Sequence, residues 1–310
     1  MMRIFGGFIF LMLRHYTKKF RTHAEQVTLL KERGLLVYDE AKAVEALKTV
    51  NYYRFTGYAI PFMSNRERFT PGTSFSDVME VCLYDRKMRD KFFEAIEILE
   101  LDFRARFAYR FSERHGPLGY RDCQFFSSFK DHAETLRKVS NEIVASKEIC
   151  IKHFNDEYYA GEIPIWTIVE ILSFGTLARC YNNLLPLEQN SISSEYGFRG
   201  DMFGSYIKHV SVLRNFCAHH MRMYDKRFFG YKPLHEWRQL HLLCPDTRFF
   251  FPQCLLVYRL LKSVNTSVFN REEWKRDLIQ LLHQAPKFES VNITSIMGVP
   301  KDVDTSKLWI

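Results

Sequence analysis

Several common signatures are missing from this sequence of 310 residues, and each absence argues against a class of function. There is no glycine-rich phosphate-binding motif, which argues against nucleotidyl transfer onto a partner. The seven cysteines are widely spread, odd in number and without a Cys-x-x-Cys pair. They therefore favour neither a disulfide framework nor a zinc site, and a reducing cytoplasm is the expected location.

The sequence also lacks an apolar run long enough to cross a bilayer, which takes about 20 residues. The run from Ile4 to Leu13 contains ten apolar residues and is followed by basic residues rather than by a small-residue cleavage site. We therefore discount a secretory signal and interpret residues 1–16 as an extension, with Met12 as an alternative start. No membrane partner is expected.

Sustained period-two alternation, the signature of a half-buried strand, is absent, and no internal repeat is visible. Apolar residues recur instead at intervals of three and four, which predicts an all-α helical bundle. The clearest pattern covers residues 77–114 and predicts one long amphipathic helix. Thr22 followed by Glu25 predicts the cap of the first of two small helices within 22–50. Further helical patterns cover roughly 130–158, 165–184, 202–222, 252–264 and 272–284.

These patterns also divide the chain. The predicted parts are the extension at 1–16, a small N-terminal helical region at 17–72, the helical bundle at 73–285 with an irregular excursion at 223–251, and a C-terminal tail at 286–310. The aromatic segment from Asn51 to Met63 contains Gly57 and Pro61, so it is predicted to be a packed connector rather than a regular element. Asn265 is expected to end a helix.

The sequence has positive charge and aromatic rings in excess. Lys and Arg number 44 against 36 Asp and Glu, a net charge of +8, which favours a polyanionic partner if the excess gathers on one face. Aromatic residues make up 15% of the chain; some could stack on unpaired bases, although most are expected in the core. The residues predicted to contact RNA are Arg104, Arg106, Arg110 and Arg114 on the long helix, together with Arg222.

The most informative stretch runs from Arg214 to His220 and reads Arg-Asn-Phe-Cys-Ala-His-His. An arginine, an amide and an imidazole set close together on a predicted helix are the groups needed to cleave RNA without a metal. The spacing alone is a weak signal, because a second Arg-x4-His pair occurs at Arg110 and His115. That pair ends a long charged helix just before a Gly-Pro step, and we interpret it as a solvated helix end.

Helical geometry places strict demands on such a site. The apolar stripe predicted on helix 202–222 consists of Phe203, Tyr206, Ile207, Val210, Leu213, Cys217 and Met221. Arg214 falls inside this stripe, whereas Asn215 and His219 share the opposite face, and Arg214 and His219 are about 140° apart on an ideal helix. The two converge only if the helix distorts or ends there, or if two copies of the chain share the site. A buried arginine needs an anionic partner, for which Glu170 and Glu97 are the candidates.

Five ordered segments, within about residues 17–310, carry a family resemblance. They are NYYRFTGYAIPF (51–62), LYDRKMRDKFFEAIEILELDFRARFAYRFSERHGPLGY (83–120), PIWTIVEILSFGTLARCYNNL (164–184), RNFCAHHMRMYDKR (214–227) and MGVP (297–300). In this order they resemble the sequence landmarks of the Abi-like family of the AbiD/AbiF type. The resemblance implies bacterial abortive-infection defence against phage and a HEPN-type helical bundle.

HEPN ribonucleases carry an Arg-x4-6-His signature, usually with a polar residue after the arginine. Arg214, Asn215 and His219 match it, and His220 satisfies the next spacing. The resemblance implies an active site formed by two copies of the motif, hence a homodimer, and a small non-coding RNA as partner besides the RNA substrate. We assign His219 to proton transfer, Arg214 to the phosphate charge and Asn215 to orienting one of them, with His220 in reserve. Neither a metal nor another cofactor is expected.

Three other interpretations stay open. In the first, Arg214 and Asn215 knit the bundle together and His219 is an ordinary polar-face histidine. In the second, the protein is a non-catalytic RNA-binding scaffold of a defence ribonucleoprotein. In the third it is a metal-dependent hydrolase with His219, His220 and Asp225 as ligands, although their spacing matches no recognised metal site.

Overall fold

The structure is a computed structural model that describes residues 4–5, 8–9, 17, 19–65, 67–159, 162–239, 246–264, 267 and 269–310. The chain divides into two compact units, Met1–Met79 and Glu80–Ile310. Apart from two short strands, the predicted extension at 1–16 lies outside the described residues, as does the predicted helix end at Asn265. The region boundaries drawn from the sequence stay predictions.

Helices make up most of the described chain, which confirms the all-α prediction. The α-helices are α1 (His23–Glu32), α2 (Glu40–Thr49), α3 (Tyr52–Ala59), α4 (Phe75–His115), α5 (Phe129–Ala145), α6 (Ile149–Glu157), α7 (Ile165–Ile171), α8 (Phe174–Asn183), α9 (Pro186–Ser193), α10 (Gly200–Ala218), α11 (His235–Gln239), α12 (Phe250–Leu261), α13 (Arg271–His283) and α14 (Ile293–Met297). Short 3-10 helices cover Ile60–Phe62, Gly119–Arg121, Cys123–Phe125 and Ser194–Tyr196. Antiparallel pairing joins β1 (Ile4–Phe5) to β2 (Phe8–Ile9) and β3 (Met63–Asn65) to β4 (Arg68–Phe69).

In the first unit, α1 begins where the sequence predicts. The side chain of Thr22 accepts a hydrogen bond from the backbone N–H of Glu25, and the Glu25 carboxylate accepts one from the backbone N–H of Thr22. The predicted capping box is therefore confirmed. Helices α1 and α2 pack together and bury Val27, Leu30 and Leu47.

The segment from Asn51 to Met63 is not the irregular connector that its glycine and proline predicted. It forms α3 and a 3-10 helix before β3 begins. Asn51 caps α3 by accepting a hydrogen bond from the N–H of Tyr53 at 2.8 Å. Pro61 lies in the first turn of the 3-10 helix, where its missing N–H leaves no bond unmade. Burial of Phe55 on α3 adds a tertiary contribution that local turn signals do not reveal.

The long amphipathic helix is confirmed, since α4 runs from Phe75 to His115. Its 41 residues correspond to about 60 Å at a rise of 1.5 Å per residue. The apolar residues that predicted it are buried: Val78, Val81, Cys82, Met88, Phe92, Ile96, Leu99, Phe103 and Phe107. Among the helices of the described residues, none is both long enough and apolar enough to cross a membrane.

Two of the predicted helices in the second unit are each split in two. The pattern at 130–158 forms α5 and α6, with residues 146–148 between them. The pattern at 165–184 forms α7 and α8, and Ser173 caps α8 by accepting a hydrogen bond from the N–H of Thr176 at 3.2 Å. A serine with local acceptor capacity interrupts a helix even where the apolar period continues.

Regions without a helical period also join the core of the second unit. The excursion at 223–251 contains α11, whose Trp237 is fully buried and donates its indole N–H to the carbonyl of Leu308 at 3.2 Å. The tail at 286–310 supplies that carbonyl and also contains α14, where Met297 is fully buried. The described residues of both segments therefore include packed structure, which their sequence pattern did not predict.

Aromatic rings build the core around α10, the helix that carries the candidate motif. Phe103 of α4 contacts Phe107, Phe174, Tyr181 and Phe203 at ring-centroid distances of 5.7 to 6.2 Å. Helix α10 also packs against α8 and α9. Most of α10 is buried or half-buried, and its exposed residues are Asp201, Lys208 and Asn215.

Candidate functional site

The candidate motif lies at the C-terminal end of α10, and that helix ends earlier than predicted. The residues of the predicted stripe that are buried are Phe203, Tyr206, Ile207, Val210, Leu213 and Cys217. Met221 follows the helix and is 40% exposed, because α10 stops at Ala218. The N–H of His220 donates to the carbonyl of Cys217, and the N–H of Met221 donates to that of Phe216. This pair of bonds is a Schellman ending.

The ending changes the geometry expected of the motif. His219 is the cap residue of α10, and His220 adopts the left-handed conformation with a φ of 54°. The separation of about 140° between Arg214 and His219 applies only to a continuing ideal helix. The helix therefore ends at the motif, but the backbone N–H of His219 still donates to the carbonyl of Asn215, and only His220 leaves the helical path.

Asn215, His219 and His220 are exposed. Within the part of the chain that the structure describes, their side chains make no hydrogen bond and no ion pair. Proton transfer needs an imidazole with a ring nitrogen free to reach the reacting group, and the ring nitrogens of His219 and His220 bond to no described residue. We call these three side chains uncommitted, because they bond to no other described residue.

Arg214 has a different environment, since 36% of its side chain is exposed and its Nε donates to Oε2 of Glu100 at 3.2 Å. Neither Glu97 nor Glu170, the partners proposed from the sequence, forms this pair. Both are exposed, whereas Glu100 is buried. All four residues line one cleft of about 270 Å³. Burial decides the partner, because a carboxylate removed from water is stabilised most by a nearby cation.

Glu100 is shared by two arginines. Its Oε1 is ion-paired to Arg104, whose guanidinium also donates to the carbonyl of Val169. Glu100 accepts a hydrogen bond from Nε of Arg214 only. The two terminal nitrogens of Arg214 make no hydrogen bond to any described residue. A guanidinium fixed through Nε presents these nitrogens as a fork for two phosphate oxygens. Sequence reasoning missed Glu100, although its position between Leu99 and Phe103 in the buried pattern was a usable signal.

The arginines predicted to contact RNA are all paired with carboxylates. The pairs are Arg104–Glu100, Arg106–Asp102, Arg106–Glu195, Arg110–Glu195, Arg110–Glu113, Arg114–Glu188 and Arg222–Asp225. Arg104 is buried and does not present its guanidinium to solvent. Arg110 and Arg114 keep 37% and 39% of their side chains exposed. These residues therefore do not form a stripe of unpaired positive charge. Some of the carboxylates are neighbours on the same helix, and others, Glu188 and Glu195, are distant in sequence.

The second arginine–histidine pair is not the solvated helix end that the sequence suggested. The Nε2 atom of His115 lies 2.7 Å from Oε2 of Glu188, and its ring stacks on Phe125 at a centroid distance of 3.7 Å. Burial alone would raise the pKa of Glu188, but the hydrogen bonds from Arg114 and His115 keep that pKa below its ordinary value. His115 is therefore built into the fold.

The residues proposed as metal ligands are not assembled into a site. Within the described residues, no group of three or more His, Cys, Asp or Glu side chains could hold a metal ion. Asp225 instead accepts a hydrogen bond from Nε of Arg222 at 2.7 Å. The metal-dependent alternative gains no support from this arrangement.

Comparison with known families identifies the chain. A family model described as Abi-like protein matches residues 45–225. The chain belongs to the Abi-like family. The matched part of this Abi-like protein includes α3 to α10 and extends through the histidine motif, and membership suggests abortive-infection defence. A search of curated proteins and a search of solved structures found no match.

Proposed function

We propose that this Abi-like protein is a metal-independent endoribonuclease of the HEPN type that acts in abortive-infection defence. RNA is the substrate, and the AbiD/AbiF-type resemblance adds a small non-coding RNA as regulatory partner. The observation that carries the proposal is the pair of uncommitted groups at the end of α10: the exposed imidazole of His219 and the terminal nitrogens of Arg214. Neither is used to hold the protein together.

The proposed chemistry needs a base, an acid and positive charge at the phosphate. One imidazole takes the proton of the 2′-hydroxyl while its oxygen forms a bond to phosphorus. The bond from phosphorus to the 5′-oxygen breaks, and a second imidazole protonates that oxygen, leaving a 2′,3′-cyclic phosphate and a 5′-hydroxyl. Histidine suits both steps because its ordinary pKa lies near neutrality. Arg214 neutralises the charge that grows on the phosphate oxygens.

The second imidazole comes from a second copy of the chain or from His220. We favour a homodimer, in which Arg214 of one copy and His219 of the other act on one phosphate. Two exposed apolar side chains beside the Arg214 cleft, Phe93 and Leu101, support an interface there. Asn215, exposed on the same helix, orients the phosphate or an imidazole.

The decisive experiment measures cleavage of a labelled single-stranded RNA by the purified protein in EDTA. We expect a 2′,3′-cyclic phosphate product and a loss of about 100-fold or more in His219→Ala, the range for removal of a general acid or base. His153→Ala, which removes an exposed histidine from α6, is the matched control and should cleave normally. Comparison with His220→Ala identifies the catalytic histidine.

Mixing two inactive variants tests the shared site. Arg214→Ala and His219→Ala proteins, combined after unfolding and refolding, form mixed dimers that keep one arginine–histidine set but only one His219. Recovered activity would assign the second imidazole to His220, whereas no recovery would mean that both copies must supply His219. Cleavage that EDTA abolishes would point to the metal-dependent alternative. RNA that copurifies with the protein but is never cut would instead support the scaffold interpretation, and sequencing it would identify the partner RNA.

A further inference from the structure

Two side chains of α4 hold the backbone immediately after the histidine motif. Asp85, which is completely buried, accepts hydrogen bonds from the backbone N–H of Met223 at 3.1 Å and of Tyr224 at 2.9 Å. Arg89, also buried, is ion-paired to Asp85 and donates to the carbonyl of Met221 at 3.3 Å. The pair therefore engages three backbone groups on one short segment.

Burial of a charge pair is costly, because the free energy needed to remove two ions from water often offsets their mutual attraction. Here the additional bonds satisfy backbone groups that would otherwise be buried without partners. Met223 and Tyr224 are themselves fully buried, so the segment is anchored by both its side chains and its backbone. Neither Asp85 nor Arg89 reaches solvent, so neither is placed to touch an RNA.

The segment that carries the histidines is thus fixed on both sides. On one side the last turn of α10 is closed by the bonds to the carbonyls of Phe216 and Cys217. On the other side Asp85 and Arg89 hold Met221 and the residues after it. Only the two histidines lie between Ala218, the last helical residue, and Met221. Their rings project from a backbone that is hydrogen-bonded to the fold on both sides.

We propose that Asp85 and Arg89 are positioning residues for His219 and His220, acting through the backbone of Met221–Tyr224 rather than on the substrate. The kinetic part of this inference rests on the proposed ribonuclease function. The structural part, that the pair sets the direction of the two imidazoles, does not. A test with separate structural and kinetic measurements keeps the two apart.

Asp85→Asn is the sharpest variant, because it keeps the shape of the side chain but replaces one acceptor oxygen by a donor and removes the charge that holds Arg89. Asp90→Asn is the matched control. Asp90 pairs with Arg86 on the same helix at 3.8 Å, with more than 70% of both side chains exposed. Exposed pairs of this kind contribute little to stability.

Three measurements are made on each protein: amide hydrogen exchange at Met223 and Tyr224, the NMR resonances of the His219 and His220 rings, and kcat and KM for single-stranded RNA. In Asp85→Asn we expect exchange to be faster by about tenfold or more and both ring resonances to shift. We also expect kcat to fall by about tenfold with KM nearly unchanged, as for loss of a transition-state interaction. Asp90→Asn should match the wild type in all three.

A lower melting temperature with unchanged ring resonances and unchanged kcat per folded molecule would overturn the inference, since the pair would then only stabilise the fold. If Asp85→Asn does not fold, Arg89→Lys provides the milder test, because it keeps a cation beside the buried Asp85 carboxylate and leaves the bonds from Asp85 to the backbone in place. Its kcat should fall while KM is kept, and an unchanged kcat would count against us. A wild-type protein that cuts no RNA would defeat the proposed function, while exchange and ring resonances would still test the positioning.

Discussion

The chain carries two arginine–histidine pairs with the same spacing, each at the C-terminal end of a helix, and their surroundings differ. At the end of α4, Arg110 pairs with Glu195 and His115 with Glu188, so both side chains are used to join segments of the second unit. At the end of α10, Arg214 is held only through Nε, and the ring of His219 bonds to no described residue.

This difference shows what a short motif leaves unspecified. The same two residue types at the same spacing form an ion-pair cluster at the end of α4, whereas at the end of α10 a carboxylate meets only Nε of Arg214 and none meets His219. Glu188 and Glu195 come from residues far along the chain, so no local pattern predicts their contacts with α4. A catalytic assignment therefore depends on which polar atoms stay available after folding.

The largest effect should come from removing each arginine in turn. We expect Arg214→Ala to reduce RNA cleavage by about 100-fold or more, because a donor to the developing charge is lost. Arg110→Ala, which removes the corresponding arginine of the other pair, should keep cleavage per folded molecule within about threefold, because Arg110 is paired with Glu195 and Glu113. Arg214→Lys should also lose most activity, because lysine cannot present a two-nitrogen fork. Equal losses in Arg214→Ala and Arg110→Ala would mean that the two pairs are not functionally distinct.

The free energy of unfolding, in contrast to RNA cleavage, should depend on the cluster at the end of α4. Glu188 is buried and accepts hydrogen bonds from Arg114 and His115. Glu188→Gln should therefore lower the free energy of unfolding by roughly 2–3 kcal/mol, as when hydrogen bonds to a charged group are lost. Glu97→Gln, at an exposed glutamate on α4, is the control and should change little. Urea denaturation measures both. A small effect at Glu188 would show that the cluster is not part of what holds the second unit together.

A third histidine extends the comparison to a buried ring without a carboxylate. His209 is 6% exposed and bonds to Oε1 of Gln253, and burial lowers its pKa from 6.5 to about 4 even though this hydrogen bond raises it. Between pH 6.5 and 4 the unfolded chain binds a proton that the folded chain does not. Stability should therefore fall by up to roughly 3 kcal/mol as the pH drops through this range, and change no further from this group below pH 4.

The test compares the pH dependence of urea midpoints in the wild type and in His209→Gln, which keeps a donor for Gln253 but does not titrate. The variant should lose most of the slope between pH 4 and 6.5. His153→Gln, at an exposed histidine, should keep it. A wild-type slope retained in His209→Gln would assign the acid sensitivity to other groups.

Much of this architecture could be predicted from local pattern. The buried faces of α4 and α10 followed from intervals of three and four, since an apolar stripe must face a core. The capping box at Thr22 and Glu25 was equally local. The end of α10 was not, because His220 takes the left-handed position where glycine is the usual signal.

The partners of charged side chains were the least predictable part. Charges spaced between apolar residues on α4 suggested a solvated basic face, yet Arg106 and Arg110 meet Glu195 from a distant segment. In the same way Glu97 and Glu100 are three residues apart on one helix, and only packing decides that Glu100 receives Arg214. Such contacts are set by the tertiary fold and have no signature in sequence spacing.

The smallest expected effect concerns His220, the one described residue other than glycine with a positive φ. A side chain in the left-handed region is strained by roughly 1 kcal/mol, which glycine avoids. His220→Gly should therefore stabilise the protein by about 1 kcal/mol, or roughly 2 °C in Tm. His220→Ala keeps the strain and should not stabilise, so the pair separates the backbone effect from loss of the imidazole. If His220→Gly is more stable but cleaves RNA poorly, the strained backbone is retained for the catalytic role of its imidazole; if cleavage is normal, His219 is the histidine that matters.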